Sequence, residues 1–281
     1  MDRMQAWIEA FPELKPLGDA AEPAGWVWPT RLGGVRAWVT PPWSLDIGSD
    51  AQADLVAALM QSSRIPIQIF DLPAGSALSA SCNLKNVCAH PRHTRQVKLD
   101  GYSPPKKRSQ QARRALREGT TIVDSRDVAL HVALHQAARK RKGITSDERR
   151  LTALITALLA ESNHHAWIAL NAGRPIASAI IVRDTTTALY ALGGQVRSED
   201  PGITARSSVL LLAHAIEQAA QQGDQIFDFG GSSDPGVDRF YAEFGAAVTP
   251  KVRLVKTAAW IRPLIALKRP DLVFPKPVPS S

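Results

Sequence analysis

The sequence predicts an α+β protein with mixed, mostly antiparallel strands flanked by helices. Two observations carry that expectation. Strand-like runs cluster in two separate stretches, residues 25–72 and 165–231, with helical periodicity within and between them. In the second stretch the order is three strands, a helix and a strand, which is not the regular alternation of a doubly wound sheet. A length of 281 residues, 44% of them hydrophobic, is enough for one or two domains with proper cores.

The first hundred residues read as strand "GWVWP", strand "VRAWVT", helix "QADLVAALMQS" and strand "IPIQIFDL", with the Pro-rich joint "TPPW" at Thr40–Trp43 breaking the second strand. The polar stretch "CAHPRHTRQVKLDGYSPP" reads as a connector. The expected division is therefore residues 1–98, residues 99–256, and a basic, Pro-rich and irregular tail at 257–281. Next comes "SPPKKRSQQARRALREG", a basic surface helix with Ser103 as its expected cap, prolines in its first turn and Gly119 as its stop. Helices "DVALHVALHQAARKRKG" and "DERRLTALITALLAES" follow. "HAWIAL", "IASAIIVR" and "ALYALGG", joined by turns, make an antiparallel meander. The long helix "ARSSVLLLAHAIEQAAQQG" then leads into the apolar strand "QIFDFGG", expected to lie parallel to its neighbour.

Charge narrows the partners. The formal net charge is +8 and the isoelectric point is near 9.8, which favours an anionic partner such as a nucleotide cofactor, RNA or a lipid headgroup. Residues 92–117 carry nine Lys or Arg against one acid, and residues 251–281 carry seven against one. There is no apolar run long enough to span a bilayer, and the start "MDRMQAWIEAFPELKP" is too acidic and interrupted for a secretory signal. The expectation is a cytoplasmic chain with no transmembrane segment.

Several chemistries fail on their motifs. "DFG" at Asp228–Gly230 has the letters of the kinase magnesium motif, but the Gly-rich loop, strand Lys and catalytic Asp that must precede it are missing. Cys82, Cys88, His90 and His93 have spacings unlike the usual zinc frameworks, and His131 and His135 read as buried polar residues on one helix face, so no metal site is expected. "GGSSD" has serines after a strand but not the G-x-S-x-G nucleophile elbow.

The remaining constellation runs from Trp167 to Gly245. The basic helix "RRALREG", the meander with "GRPIASAIIV" and "ALYALGG", the helix "SSVLLLAHAIEQAAQQG" and the block "FDFGGSSDPGVDRFYAEFGA" together resemble the FemABX-like branch of the GNAT acyltransferase superfamily. At pattern level the resemblance covers residues 102–255, and residues 1–98 fit a short N-terminal GNAT-like domain only by element order. It implies two tandem GNAT-like domains, each a mixed, mostly antiparallel sheet flanked by helices, and N-acyl transfer in a ternary complex. An acyl or aminoacyl group passes from a phosphate-containing donor (acyl-CoA, an acyl carrier protein or aminoacyl-tRNA) to an amine, with no permanently bound cofactor and acyl-CoA as one candidate co-substrate. Such a reaction needs a neutral amine and stabilisation of the oxyanion formed on attack.

By this resemblance the strands carrying Tyr190 and Asp228 should splay to admit the acyl group, with Gly230 and Gly231 turning the chain close to it. Asp228 is expected either as a base or as a carboxylate that only holds its loop. Tyr190 and Tyr241 are expected to donate to the oxyanion or leaving group. Arg206, Ser207 and Ser208, near a helix N-terminus, and Arg239 are expected to hold donor phosphates. The usual pyrophosphate loop Q/R-x-x-G-x-G/A is absent, and Tyr241 stands where the family's peptidyltransferases have Lys. The alternative is a catalytically inactive protein of this fold that binds RNA or an anionic membrane surface through its basic segments, "TAAWIRPLIALKRP" being the stretch suited to peripheral membrane contact.

Overall fold

The computed structural model describes residues 3–48, 51–80, 82, 86–196, 200–231 and 234–273. In chain order the first elements are α1 (Gln5–Ala10), β1 (Lys15–Gly18), β2 (Pro23–Leu32), β3 (Val35–Val39), α2 (Ala53–Ser62), β4 (Ile67–Asp71), β5 (Val87–Lys98), α3 (Lys106–Arg117) and β6 (Thr120–Asp124). They are followed by α4 (Val128–Arg141), α5 (Glu148–Ala160), β7 (His165–Asn171), β8 (Arg174–Asp184), β9 (Thr187–Gln195) and α6 (Pro201–Gln221). The last are β10 (Ile226–Asp228), α7 (Pro235–Ala242), β11 (Ala247–Thr257) and α8 (Arg262–Lys268). The fold is α+β, as expected, and its strands pair mostly antiparallel.

The chain forms two compact units, one of residues 3–11 and 95–247, the other of residues 12–94 and from 248 onward. In the first unit the strand order is β5-β10-β9-β8-β7-β6, with only β9 and β10 parallel among the described pairs. A right-handed crossover is the rule for such a pair, and α6 provides the connection. Its core joins Val97 and Leu99 to Ala177, Ala179 and Ile181 of the sheet and to Leu211, Ala215 and Ile216 of α6, with Phe227, Phe229 and Phe244 fully enclosed. The second unit has the order β1-β2-β3-β4-β11, in which only β3 and β4 are parallel among the described pairs, joined through α2. Both units thus contain strand, helix, parallel strand, and then an antiparallel strand on the far side.

Four elements differ from the sequence reading. The supposed connector is strand β5. Its buried positions fall at Val87, His90, Thr94 and Val97, spaced by three and four, and two of them are polar, so neither an apolar run nor an alternation is visible. The supposed irregular tail holds α8; Ile261, just before it, packs with Ala37 and Ile67, while Trp260 ahead of the helix and Leu264 and Leu267 on it are exposed. Ser103 does not cap α3, which starts after Pro105 with no side-chain cap. Finally, α6 begins at Pro201, a full turn before the expected start, because Asp200 caps it. Gly119 does end α3 with a positive φ of 80°. The "GGSSD" serines, Ser232 and Ser233, lie outside the described residues.

Candidate active site

The parallel pair β9 and β10 stays together for only three residues, with Ile226, Phe227 and Asp228 opposite Thr187, Ala188 and Leu189. Beyond that point the chain after β10 remains with β5, since the Phe229 N–H donates to the Arg95 carbonyl at 2.9 Å, whereas β9 continues from Tyr190 to Gln195 paired with β8 and no longer with β10. The strands therefore part at Tyr190. A bulge sits at the same place: Ile180 faces Leu192 and Ile181 faces Tyr190, so Ala191 has no partner across β8. Such an extra residue bends the strand and leaves its backbone out of the ladder.

The parting opens a groove of about 340 Å³. Tyr190, Gly193, Gly194 and Gln195 of β9 form one wall, Val237, Phe240 and Tyr241 of α7 another, and Ala205, Ser208, Leu211 and Leu212 of α6 a third. Ala138 and Arg141 of α4, and Lys142 just after it, close the rim. Glycine is required at two of these positions. A methyl group on Gly193 would overlap the phenol oxygen of Tyr190, and one on Gly194 would overlap the α4 backbone at Leu134 and His135. His135 fixes that contact by donating Nδ1–H to the Gly193 carbonyl at 3.0 Å, while its buried Nε2 has no partner among the described residues. Burial pushes the imidazole below its ordinary value, so it is neutral at pH 7.

Tyr190 and Tyr241 meet edge to face, ring centres 6.3 Å apart, and Tyr241 stacks on Phe229 at 4.8 Å. Burial pushes the Tyr190 phenol up to about 12. It also holds Tyr241 well above the ordinary range, aided by Tyr190 and Asp234. Both phenols stay protonated and remain hydrogen-bond donors at any physiological pH.

Helix α7, which carries Tyr241, is held at three points. Asp238 takes a bidentate bond from Arg95 at 2.9 and 2.7 Å. Buried Arg108 donates to the Phe240 carbonyl at 2.8 Å and lies over the Phe240 and Phe244 rings, 4.5 and 4.7 Å from their centres. Lys142 bonds Asp234 at 2.6 Å, and Asp234 also caps the helix through the N–H groups of Gly236 and Val237.

The expected site residues divide accordingly. Tyr190, Tyr241 and Ser208 line the groove, and Ser208 bonds Gln195 Oε1 at 2.7 Å. Asp228 does not line it. That carboxylate is 6% exposed and accepts from the Gln96 amide and the Gly230 N–H, both at 2.7 Å, which matches the loop-holding alternative. Gly230 and Gly231 have φ of 81° and 70° and form the turn itself, away from the groove lining.

Ser207 is fully buried against Thr120, 3.0 Å away, so the expectation that it holds a donor phosphate is corrected. Arg206 is bound to Glu118 at 2.6 Å and lies on the other side of α6. Arg239 is exposed and outside the groove lining. The free amides at the start of α6 are also occupied, because Asp200 Oδ1 accepts from Gly202 and Ile203 at 2.7 and 3.3 Å. The groove residues that the sequence reading missed are Arg141, Lys142 and Gln195. Among the described residues no group of three or more His, Cys, Asp or Glu is arranged to hold a metal ion.

The parting of the parallel pair β9 and β10 is the feature the resemblance leads one to expect. Residues 106–241 match the model of the acetyltransferase (GNAT) domain family. The crystal structure of FemX aligns with a TM-score of 0.64 at 13% identity, over 94% of this chain and 93% of that one. The C-terminal domain of a putative lysylphosphatidylglycerol synthetase from Agrobacterium fabrum aligns with a TM-score of 0.64 at 12% identity, over 100% and 95%. The L-PGS structure from Bacillus licheniformis gives 0.60 at 14%, over 95% and 91%. No curated protein sequence matches at a significant level. Residues 106–241 are thus similar to the acetyltransferase (GNAT) domain family, and the chain shares its fold with FemX and the lysylphosphatidylglycerol synthetase domain.

Proposed function

We propose that this protein is an N-acyltransferase that moves an acyl or aminoacyl group from a phosphate-containing donor to an amine within the β9/β10 groove. The single observation that carries this reading is the groove itself, opened where β9 leaves β10 and flanked by two protonated tyrosines. In the reaction a neutral amine attacks the donor carbonyl, the N–C bond forms, the C–S or C–O bond to the donor breaks, and the amine proton ends on the leaving group. Tyr190 and Tyr241 donate hydrogen bonds to the oxyanion or the departing atom. Gly193 leaves room for the Tyr190 phenol, and the bulge at Ala191 frees backbone beside the reacting carbon. Asp228 takes a positioning role through the Gly230 turn.

The groove lining carries no carboxylate among the described residues, and its rim carries Arg141 and Lys142. Its walls combine alanine, leucine, valine and aromatic rings with glycine backbone and the polar Ser178, Gln195 and Ser208. The apolar part of this lining suits the chain of the acyl group, and the ammonium of an aminoacyl group would have to lie toward its polar residues.

The test is direct product detection. Acyl-CoA, acyl carrier and aminoacyl-RNA donors are incubated with a panel of amines, and new amides are read by mass spectrometry. A product that disappears in Ala138→Trp, which fills the groove, supports the reading. A product formed equally well by that variant moves the chemistry elsewhere and ends it.

A further inference from the structure

A second hollow, of about 720 Å³, lies between α3 and α6. Lys107, Gln110, Arg113, Arg114 and Arg117 line it from α3, and Arg206 from α6. These α3 residues share one helix face, opposite the buried Arg108, Ala112 and Ala115. Some of the charge is already used. Arg114 and Arg206 both bind Glu118, at 2.7 and 2.6 Å, and Lys107 reaches Glu243 at 3.3 Å. Arg113 and Arg117, an i, i+4 pair, have no partner among the described residues and are exposed. No acidic and no aromatic side chain lines the hollow among the described residues, so it recognises charge and has no ring on which to stack a base.

The hollow adjoins the groove. Ala205 of α6 lines both, and it also lines a smaller hollow of about 220 Å³ that contains Arg141. The first turn of α6, where a helix would ordinarily receive a phosphate, is filled by Asp200. A donor whose acyl end lies in the groove thus finds no amide cradle at α6, and the next concentration of positive charge is the α3 face across Ala205.

We propose that the α3–α6 hollow seats the phosphate-bearing body of the acyl donor, with Arg113 and Arg117 as its free ligands. This rests on the acyl-transfer reading for the identity of the bound molecule, and on the hollow alone for the location. The chemistry is a run of phosphates, which either the nucleotide end of CoA or the sugar-phosphate backbone of an RNA end supplies.

The experiment measures binding, not turnover, so that it stands or falls apart from the reaction. Fluorescent CoA and a short fluorescent RNA hairpin are titrated by anisotropy at several salt concentrations into the wild-type chain, Arg113→Gln/Arg117→Gln and, as a control at an exposed arginine that lines neither the hollow nor the groove, Arg149→Gln. The expected result is saturable binding of one probe, weakened about tenfold or more in the double arginine variant and unchanged in Arg149→Gln. If the bound probe is the RNA, the slope of log affinity against log salt also falls by about two. Because both arginines are exposed, the melting temperature should not move. Binding that the arginine pair does not affect, or no binding of either probe, overturns the proposal. In the first case the groove reading still stands if Ala138→Trp abolishes turnover.

Discussion

At the residue scale, the two groove tyrosines stay protonated and so are able to donate. A phenol pushed up to about 12, as at Tyr190, is almost never ionised between pH 6 and 9, and Tyr241 is held higher than its ordinary range as well. Tyr241→Phe removes one hydroxyl and keeps the ring on Phe229, so it should leave the fold intact and lower kcat by about a hundredfold, the usual cost of one oxyanion donor. KM should change much less, since the bond strengthens chiefly as charge develops. Steady-state kinetics on a verified substrate pair checks this. Unchanged kcat would assign oxyanion stabilisation to the backbone around the Ala191 bulge instead. Tyr241 was legible from the "FYAEFG" block alone, and the reason for Gly193 was not: its need for space against Tyr190 arises only once the strand has curled.

At the element scale, the position of α7 decides where Tyr241 points, and Arg108 is its main anchor. The side chain is 4% exposed, lies over two phenylalanine rings, and bonds both the Phe240 carbonyl and Glu243. Arg108→Met keeps apolar contact but loses those bonds, leaving the Phe240 carbonyl without that donor. We expect a loss of about 2 kcal/mol in unfolding free energy, a range typical of breaking one buried polar contact, together with reduced activity. Denaturant titration reads the first and kinetics the second. Full activity in Arg108→Met would show that Arg95 and Lys142 suffice to hold α7. The strands of the meander and the helices α2, α4, α5 and α6 were legible because their apolar spacing is regular over many residues. The starts of α6 and α7 were not used fully, although both carry the same signal, Asp-Pro-Gly at Asp200–Gly202 and Asp234–Gly236, in which the Asp caps and the Pro takes the first helical position. Reading the first of them moves Arg206 and Ser207 into the second turn of α6, where they cannot serve as an N-terminal anion seat.

At the scale of the whole molecule, each unit is completed by a strand from beyond its own central stretch: β5 precedes the rest of its sheet and closes beside β10, and β11 returns to pair with β4. Local pattern cannot reveal that, because pairing across 182 residues, as between Asp71 and Arg253, leaves no periodic trace in either segment. The histidines give a property of the molecule as a whole. Burial is the leading cause lowering His90, His131, His135, His164, His165 and His214 below the ordinary 6.5. The unfolded chain therefore takes up protons at these sites from about pH 6.5 downward while the folded chain still resists them, and the side that binds more protons gains as pH falls. The stability contributed by neutral burial is complete above pH 6.5 and is lost as pH falls through the lower folded-state values. The carboxylates act in another window: Glu118 is lowered first by the Arg206 hydrogen bond and Asp234 first by Lys142, from ordinary values of 4.5 and 3.8, so their contribution is present above those values and lost only below them. Between pH 7.5 and 5 the histidines dominate, and the melting temperature should fall across that interval, with His135→Gln flattening the slope. A melting temperature that stays level or rises from pH 7.5 to 5 would show that these imidazoles gain water or charge partners on protonation and are not held neutral by the fold.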